Sequence, residues 1–337
     1  MKYSLVFLIS FILINCQTSI NKDFKISIIT DDKIISYGDD IKINIESKSN
    51  IIIDSVKYFL NDVRVKNEFT ISNVKLGTNS ARAEVFSGGK KIELTKEFDI
   101  FSDTKPNILN YEIINEYSHD KEAYTQGLEF YNNILYESTG LNGKSTLRKV
   151  DLNSGDILNN INLEYEYFGE GITILNDRIF LLTWKNKIGF IYDLDFKKIG
   201  SFNYDKSQEG WGLTNDGKYI YKSDGTSKIW KLDPYNLEEI DFIEVMTDKS
   251  RIKSINELEY INGKIFANTY QQNRDVILII NSKSGKVESI INFSGIRDYL
   301  EADNNTDVMN GIAENDGKLY VTGKNWNKLF EIKILDE

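Results

Sequence analysis

The 337-residue chain is 41% hydrophobic, ample for packed cores, and its length predicts about two domains. A net charge of −10 excludes the basic face that a nucleic-acid binder needs, so no nucleic-acid partner is expected. One cysteine and one histidine exclude an intrachain disulfide and a Cys/His zinc cluster, and leave His119 as the only histidine available as a base.

Residues 1–16 begin with Met-Lys-Tyr-Ser, continue as an apolar run from Leu5 to Ile14, and end in Leu13-Ile14-Asn15-Cys16. A charged start followed by a run too short to span a bilayer is the pattern of an export signal. The segment resembles a bacterial lipoprotein signal, which implies lipidation of Cys16, a tether over 17–23, and an exported protein anchored to a membrane, periplasmic or surface-facing. Asn15 departs from the small residue usual before such a cysteine.

Residues 24–101 alternate apolar and polar at Lys25–Ile28, Ile41–Ile45 and Ala81–Val85. Turn residues fall at Tyr37–Asp40, Leu76–Asn79 and Gly88-Gly89. Period-two alternation between such turns predicts a small antiparallel β-sandwich, Ig-like, without a catalytic constellation. Residues 102–110, opening with Ser102–Asn107 (SDTKPN), read as a linker.

Residues 111–337 are organised by five gapless repeats: Gln126–Gly140, Glu170–Trp184, Trp211–Gly225, Asn256–Tyr270 and Asn310–Lys324, starting 44, 41, 45 and 54 residues apart. Each has Leu or Ile at its third position, a turn pair in the middle (Asn132-Asn133, Asn176-Asp177, Asp216-Gly217, Asn262-Gly263, Asp316-Gly317) and a return strand. A third and a fourth strand follow each of the first four, which makes a four-stranded propeller blade. The fifth lacks a fourth strand, and the unclaimed segment Tyr111–Tyr117 is expected to pair with Leu329–Ile334 and close the ring. The predicted fold is all-β: a five-bladed β-propeller preceded by the β-sandwich.

A hairpin brings its two ends together, so the variable first and last positions of the repeats should ring one mouth of the channel. That mouth would hold Gln126, Glu170 with Trp184, Trp211, Asn256 with Tyr270, and Asn310 with Lys324. An aromatic wall with a few convergent polar groups is the usual form of a small-ligand site. Outside this register, His119 reads as structural, Glu137 and Asp224 as groups that satisfy neighbouring backbone, and Glu301–Asp307 as a solvated loop, with a lid or a calcium loop as alternatives.

At these residues the chain resembles the plant-type glutaminyl-peptide cyclotransferases. The likeness runs from about His119 to Ile334 through His119-Asp120, Tyr124–Leu128, Tyr136–Gly140, Tyr167–Gly171, Trp211–Leu213, Ser223–Gly225, Asn256–Ile261, Asn310–Ala313 and Val321–Lys324, with the first domain outside it. The resemblance implies conversion of N-terminal glutamine of peptides or proteins to pyroglutamate with release of ammonia, by a monomer, with no cofactor and no metal. It implies Glu170, Lys324 and Asn256 as catalytic residues. Gln126, Tyr124, Phe168, Trp184, Trp211 and Tyr270 would bind substrate, with Tyr124 standing where Phe is common and Tyr270 where Trp is common. The competing readings are a non-catalytic propeller lipoprotein that binds a peptide or sugar at the mouth, and a hydrolase of small amides at the same place.

Overall fold

The computed structural model describes residues 23–48, 50–272 and 274–335, so Cys16 and the tether lie outside the described residues. Apart from one 3-10 turn at Ile296–Tyr299, the regular elements among the described residues are β-strands. The chain divides into two compact units: Met1–Ile29, Ile41–Phe69 and Ser80–Lys96 in one, and Thr30–Asp40, Thr70–Asn79 and Glu97–Glu337 in the other. The expected domain of 24–101 is therefore interrupted, with 30–40 and 70–79 clustering with the second unit.

In the first unit, Phe24–Ile29, Asp40–Ser47 and Glu68–Thr70 form one sheet, and Val63–Val65, Ser55–Leu60, Gly77–Ser87 and Lys90–Ile100 form another. Phe24, Ile26 and Ile45 of the first sheet share a core with Val56, Val85 and Leu94 of the second. Every second residue of Gly77–Ser87 is buried, as strand periodicity requires. The expected turn at Leu76–Asn79 is corrected, since Gly77 already begins this strand, whereas the chain turns as expected at Tyr37-Gly38 and at Gly88-Gly89, the latter both at positive φ.

In the second unit, strands 125–162, 169–203 and 213–244 make three four-stranded antiparallel sheets in sequence order. An eight-stranded sheet combines four strands from Ile255–Ile261 to Val287–Asn292 with Asn107–Ser118, Lys328–Leu335, Lys318–Gly323 and Met309–Asn315. The expected pairing of the early strand with the last one is observed in register, Tyr111 opposite Ile334 and Tyr117 opposite Leu329. The strand starts at Asn107 rather than after a linker ending at 110. Its first residues, Asn107 to Leu109, pair in parallel with Ser289 to Ile291, so one strand serves two neighbours.

Four of the five inner hairpins turn through two residues that both have positive φ: Asn132-Asn133, Asn176-Asp177, Asn262-Gly263 and Asp316-Gly317. That conformation matches strand twist and favours Asn, Asp and Gly. The third differs from expectation. Its strands rejoin only at Asn215 and Ile220, and Asp216 instead accepts hydrogen bonds from the N–H groups of Lys218 and Tyr219 across a longer loop.

Apolar clusters join each repeat to the next. Tyr136 and Leu147 pack with Ile172 and Leu181; Leu175 and Phe180 with Leu213 and Trp230; Tyr221 and Ile229 with Leu258 and Ile265; Phe266 and Ile277 with Ile312 and Val321. Leu128 and Leu135 then pack with Ala313 and Tyr320, bringing the first repeat against the last. The arrangement is propeller-like.

Inside that ring runs a circuit of hydrogen bonds. Ser138 Oγ donates to the Glu170 carbonyl (2.6 Å), the Gly171 N–H to the Trp211 carbonyl (2.6 Å), and Ser223 Oγ to the Asn256 carbonyl (2.6 Å). The Gly311 N–H donates to Asn268 Oδ1 (3.0 Å), and Asn310 Nδ2 to the Thr125 carbonyl (2.9 Å). Asn310→Ala leaves that buried carbonyl without this donor. It should lower the stability of the second unit by about 1–3 kcal/mol, read as a lower urea midpoint by tryptophan fluorescence, since all four tryptophans lie in this unit.

Candidate active site

The first strand of four repeats carries a β-bulge at its start. Gly169 faces Thr183 while Ile172 faces Leu181, so three steps on one strand match two on the other. The same slip occurs between Ile255 and Leu258 and between Met309 and Ile312, and a one-residue slip falls at Gln126. Glu170, Asn256, Asn310 and Gln126 thus sit at irregularities, which re-aim side chains out of the alternating pattern.

All nine residues expected to bind substrate or act in catalysis line one cavity of about 250 Å³: Tyr124, Gln126, Phe168, Glu170, Trp184, Trp211, Asn256, Tyr270 and Lys324. Asn310, placed at the mouth by its register, is not part of the lining, because its amide is turned onto the Thr125 carbonyl. The aromatic rings form a wall. Tyr124 meets Phe168 edge to face at 6.2 Å, Phe168 lies 5.4 Å from Trp184, and Trp211 meets Tyr270 edge to face at 6.0 Å.

Two glycines at the last positions of repeats make this wall possible. A Cβ on Gly140 would lie 2.4 Å from the Phe168 ring, and one on Gly225, which has φ +74°, would lie 2.5 Å from the Trp211 indole. The variable ends of the repeats therefore alternate between residues that enter the cavity and glycines that yield to a neighbour's ring.

The polar groups are buried. Burial pushes the Glu170 carboxyl well above its usual range, opposed by Lys324 and reinforced by the negative charge of Glu209. Burial also pulls Lys324 down to about 8, against the attraction of Glu170, Asp307 and Glu257. Lys324 Nζ donates to Gln126 Oε1, which leaves Gln126 Nε2 as that side chain's donor. The ammonium also lies 4.6 Å from the Tyr124 ring centre and 5.7 Å from that of Tyr270. Asn256 Oδ1 is buried with no hydrogen-bond partner among the described residues, an acceptor ready for a ligand N–H.

His119, Glu137 and Asp224 lie outside the lining. His119 Nδ1 contacts the Trp326 carbonyl at 2.7 Å and Nε2 contacts Glu137 at 3.1 Å, while Arg148 approaches the same carboxylate. Burial opposes the charge on His119, yet the Glu137 carboxylate raises its pKa above the ordinary value. Asp224 accepts from the Trp230 indole and from Thr226.

Two acids escaped the sequence reading. Glu209 Oε2 accepts from both the Trp184 and Trp211 indoles, and Asp307 Oδ2 accepts from the Tyr124 hydroxyl at 3.0 Å. Asp307 ends the stretch read as a solvated loop: residues 301–305 are exposed as expected, and Asp307 departs from that reading, being half-buried against Tyr124. No group of three or more His, Cys, Asp or Glu side chains placed to hold a metal occurs among the described residues.

Fold and cavity define a class: a propeller-like all-β protein with a buried acid, a buried amine and amides inside an aromatic pocket. The glutamine cyclotransferase family model matches residues 88–334, and the chain belongs to that family. The match begins ahead of His119, at the Gly88-Gly89 turn before the strand Lys90–Ile100, so the family likeness reaches further toward the N-terminus than the sequence motifs indicated. The chain is 40% identical over 238 residues to the glutaminyl-peptide cyclotransferase of Arabidopsis thaliana, covering 69% of this chain and 73% of that protein. It is also similar to the crystal structure of Myxococcus xanthus glutaminyl cyclase, with a TM-score of 0.64 and 30% identity, covering 69% of this chain and all of that one.

The low pKa of Lys324 makes a prediction with a definite sign. The folded chain gives up this proton near pH 8, the unfolded chain near 10.5, so between those values the unfolded state binds more protons and stability rises with pH. The contribution is complete above the upper value and is lost as pH falls through the lower one. Lys324→Met should remove up to about 3 kcal/mol of that rise, seen as the difference between parent and variant urea midpoints across the window.

Proposed function

We propose that this protein is a glutaminyl-peptide cyclotransferase that closes the N-terminal glutamine of peptides or proteins to pyroglutamate, acting as a monomer at the cavity described. The observation that carries the reading is the burial of Glu170 beside Lys324 within the aromatic wall, in a chain of the glutamine cyclotransferase family.

The reaction joins the substrate's α-nitrogen to its own γ-carbonyl carbon, then breaks the bond to the amide nitrogen, which leaves as ammonia. A protonated Glu170 beside a neutral amine carries the same number of protons as a carboxylate beside an ammonium. The buried site favours the uncharged arrangement, in which the amine's lone pair is free to attack. Glu170 thus takes a proton from the α-ammonium as base and returns it to the departing nitrogen as acid, and its carboxylate then takes the second proton that the ring nitrogen must lose to become the lactam N–H. Lys324 and the Gln126 amide donate to the oxyanion on the γ-carbonyl oxygen. The Asn256 carbonyl oxygen accepts from a substrate N–H, a role that its buried, unpartnered Oδ1 suits. Phe168, Trp184, Trp211 and Tyr270 enclose the forming ring and exclude water. Because attack is intramolecular, holding the side chain folded supplies much of the acceleration.

Mass spectrometry of a Gln-initiated peptide incubated with the protein tests the reading. Loss of ammonia well above the spontaneous rate is expected. Glu170→Gln should lower kcat by about a hundredfold or more, and Lys324→Met by about a hundredfold. No product from folded parent protein would sink the proposal.

We further propose that the three four-stranded sheets of the second unit and the two halves of its eight-stranded sheet are five blades of one propeller, with Asn107–Ser118 completing the last. The N-terminal sequence supports export and lipidation at Cys16. Cys16→Ser should then release the protein from the membrane fraction into the soluble fraction of expressing cells, and an unchanged distribution would refute the anchor.

A further inference from the structure

We propose that Glu209, set behind the cavity lining, is a positioning residue for this reaction: its carboxylate ties the two tryptophan indoles into one wall and holds a negative charge behind Glu170. The inference rests on the cyclotransferase reading.

The geometry is specific. One oxygen, Oε2, accepts from Trp184 Nε1 at 2.7 Å and from Trp211 Nε1 at 2.8 Å. These tryptophans belong to different sheets. Trp184 follows the strand Arg178–Thr183, and Trp211 precedes Leu213–Asn215. No direct ring contact joins them, so the carboxylate is the link that makes the wall continuous between its two aromatic groups. An indole N–H in such a wall needs an acceptor, and an ionised one gives the stronger bond.

The segment that carries Glu209 is built to hold it still. Lys222 and Glu239 form an ion pair at 3.1 Å with side chains 0% and 1% exposed. Glu239 Oε2 accepts from the Lys206 and Ser207 N–H groups, while Lys222 Nζ donates to Ser207 Oγ and to the Glu209 carbonyl. The Tyr204 ring lies 4.4 Å from Lys222 Nζ and its hydroxyl donates to the Thr183 carbonyl, while the Gly210 N–H donates to the Trp184 carbonyl. Burying an ion pair is costly, and its gain here is a single register for residues 205–210.

The charge has a second effect. Glu170 is faced by Lys324 from the last repeat, by Glu209, and by the Tyr204 hydroxyl, which Glu170 itself helps to keep protonated. Of these, Glu209 favours the protonated acid and Lys324 opposes it. Removing the Glu209 charge therefore shifts the Glu170 limb of a pH–rate profile toward acid, whether that limb reports the base or the acid form.

The test uses the full chain and a Gln-initiated peptide, with kcat and KM measured against pH. Glu209→Gln should lower kcat/KM by about tenfold or more and move the limb to lower pH. Glu209→Ala should also raise KM and alter tryptophan emission. Should Glu209→Ala fail to fold, Trp184→Phe serves instead: in that background Glu209→Gln should still move the limb but cost less in rate. A Glu209→Gln profile that superimposes on the parent's overturns the inference, whatever the loss of rate, because a merely structural role would leave the limb in place. An inactive parent would instead sink the cyclotransferase reading itself.

Discussion

The site depends on the circuit of hydrogen bonds that links the start of each inner hairpin to the next. A bulge takes a residue out of the strand ladder and leaves backbone groups without their usual partners. These groups are buried, so each must find another. The neighbouring repeat supplies it: Ser138 for the Glu170 carbonyl, Ser223 for that of Asn256, Asn268 for the Gly311 N–H. The same irregularity that turns Glu170 and Asn256 into the cavity therefore obliges adjacent repeats to lock together. Each bond adds only about 1 kcal/mol net. The apolar clusters supply most of the stability, and the circuit supplies the precision.

Buried acids in this ring divide into two kinds. Glu129, Glu257 and Glu259 accept from the N–H groups of Ile174, Ile312 and Glu314 respectively, each across to a neighbouring repeat. Burial raises all three, Glu129 to about 8. They staple strands, and a protonated carboxyl still accepts. Glu170 is raised by the same cause but opens onto the cavity. A high pKa alone does not distinguish an acid that lines the cavity from a staple here. What separates Glu170 is its place in the cavity lining together with a nearby amine that burial makes easier to deprotonate.

The repeat period made much of this legible. Identical middles marked the hairpins, and unlike ends marked the residues that converge on the cavity. Features between the repeats were hidden, because no register applied to them. Glu209 stands two residues ahead of Trp211, and its partner Trp184 lies 25 positions before it; only the fold brings both indoles to one oxygen. Asp307 was one acid among several in a polar stretch. Asn310 shared the register of Gln126 and Glu170, yet the circuit needed its amide for closure. The four-residue loop at Asp216 and the early start at Asn107 depend on side-chain capping and sheet pairing, which apolar periodicity does not encode.

The departures at Tyr124 and Tyr270 follow a shared logic. Both preserve a ring in the wall, and both rings face Lys324 Nζ. The added hydroxyls lie close together, and that of Tyr124 donates to Asp307. A phenylalanine at 124 has no group to reach that carboxylate, so Tyr124 and Asp307 form a unit. Through it the segment 301–307 is tied to the cavity rim, and the Asp307 charge helps Lys324 keep its proton against burial. On one side of the pocket, Glu209 favours a neutral acid; on the other, Asp307 favours a charged amine. The two acids behind the lining thus act in opposite roles: Glu209 strengthens the hold of Glu170 on a proton it takes up, and Asp307 helps Lys324 stay a charged donor.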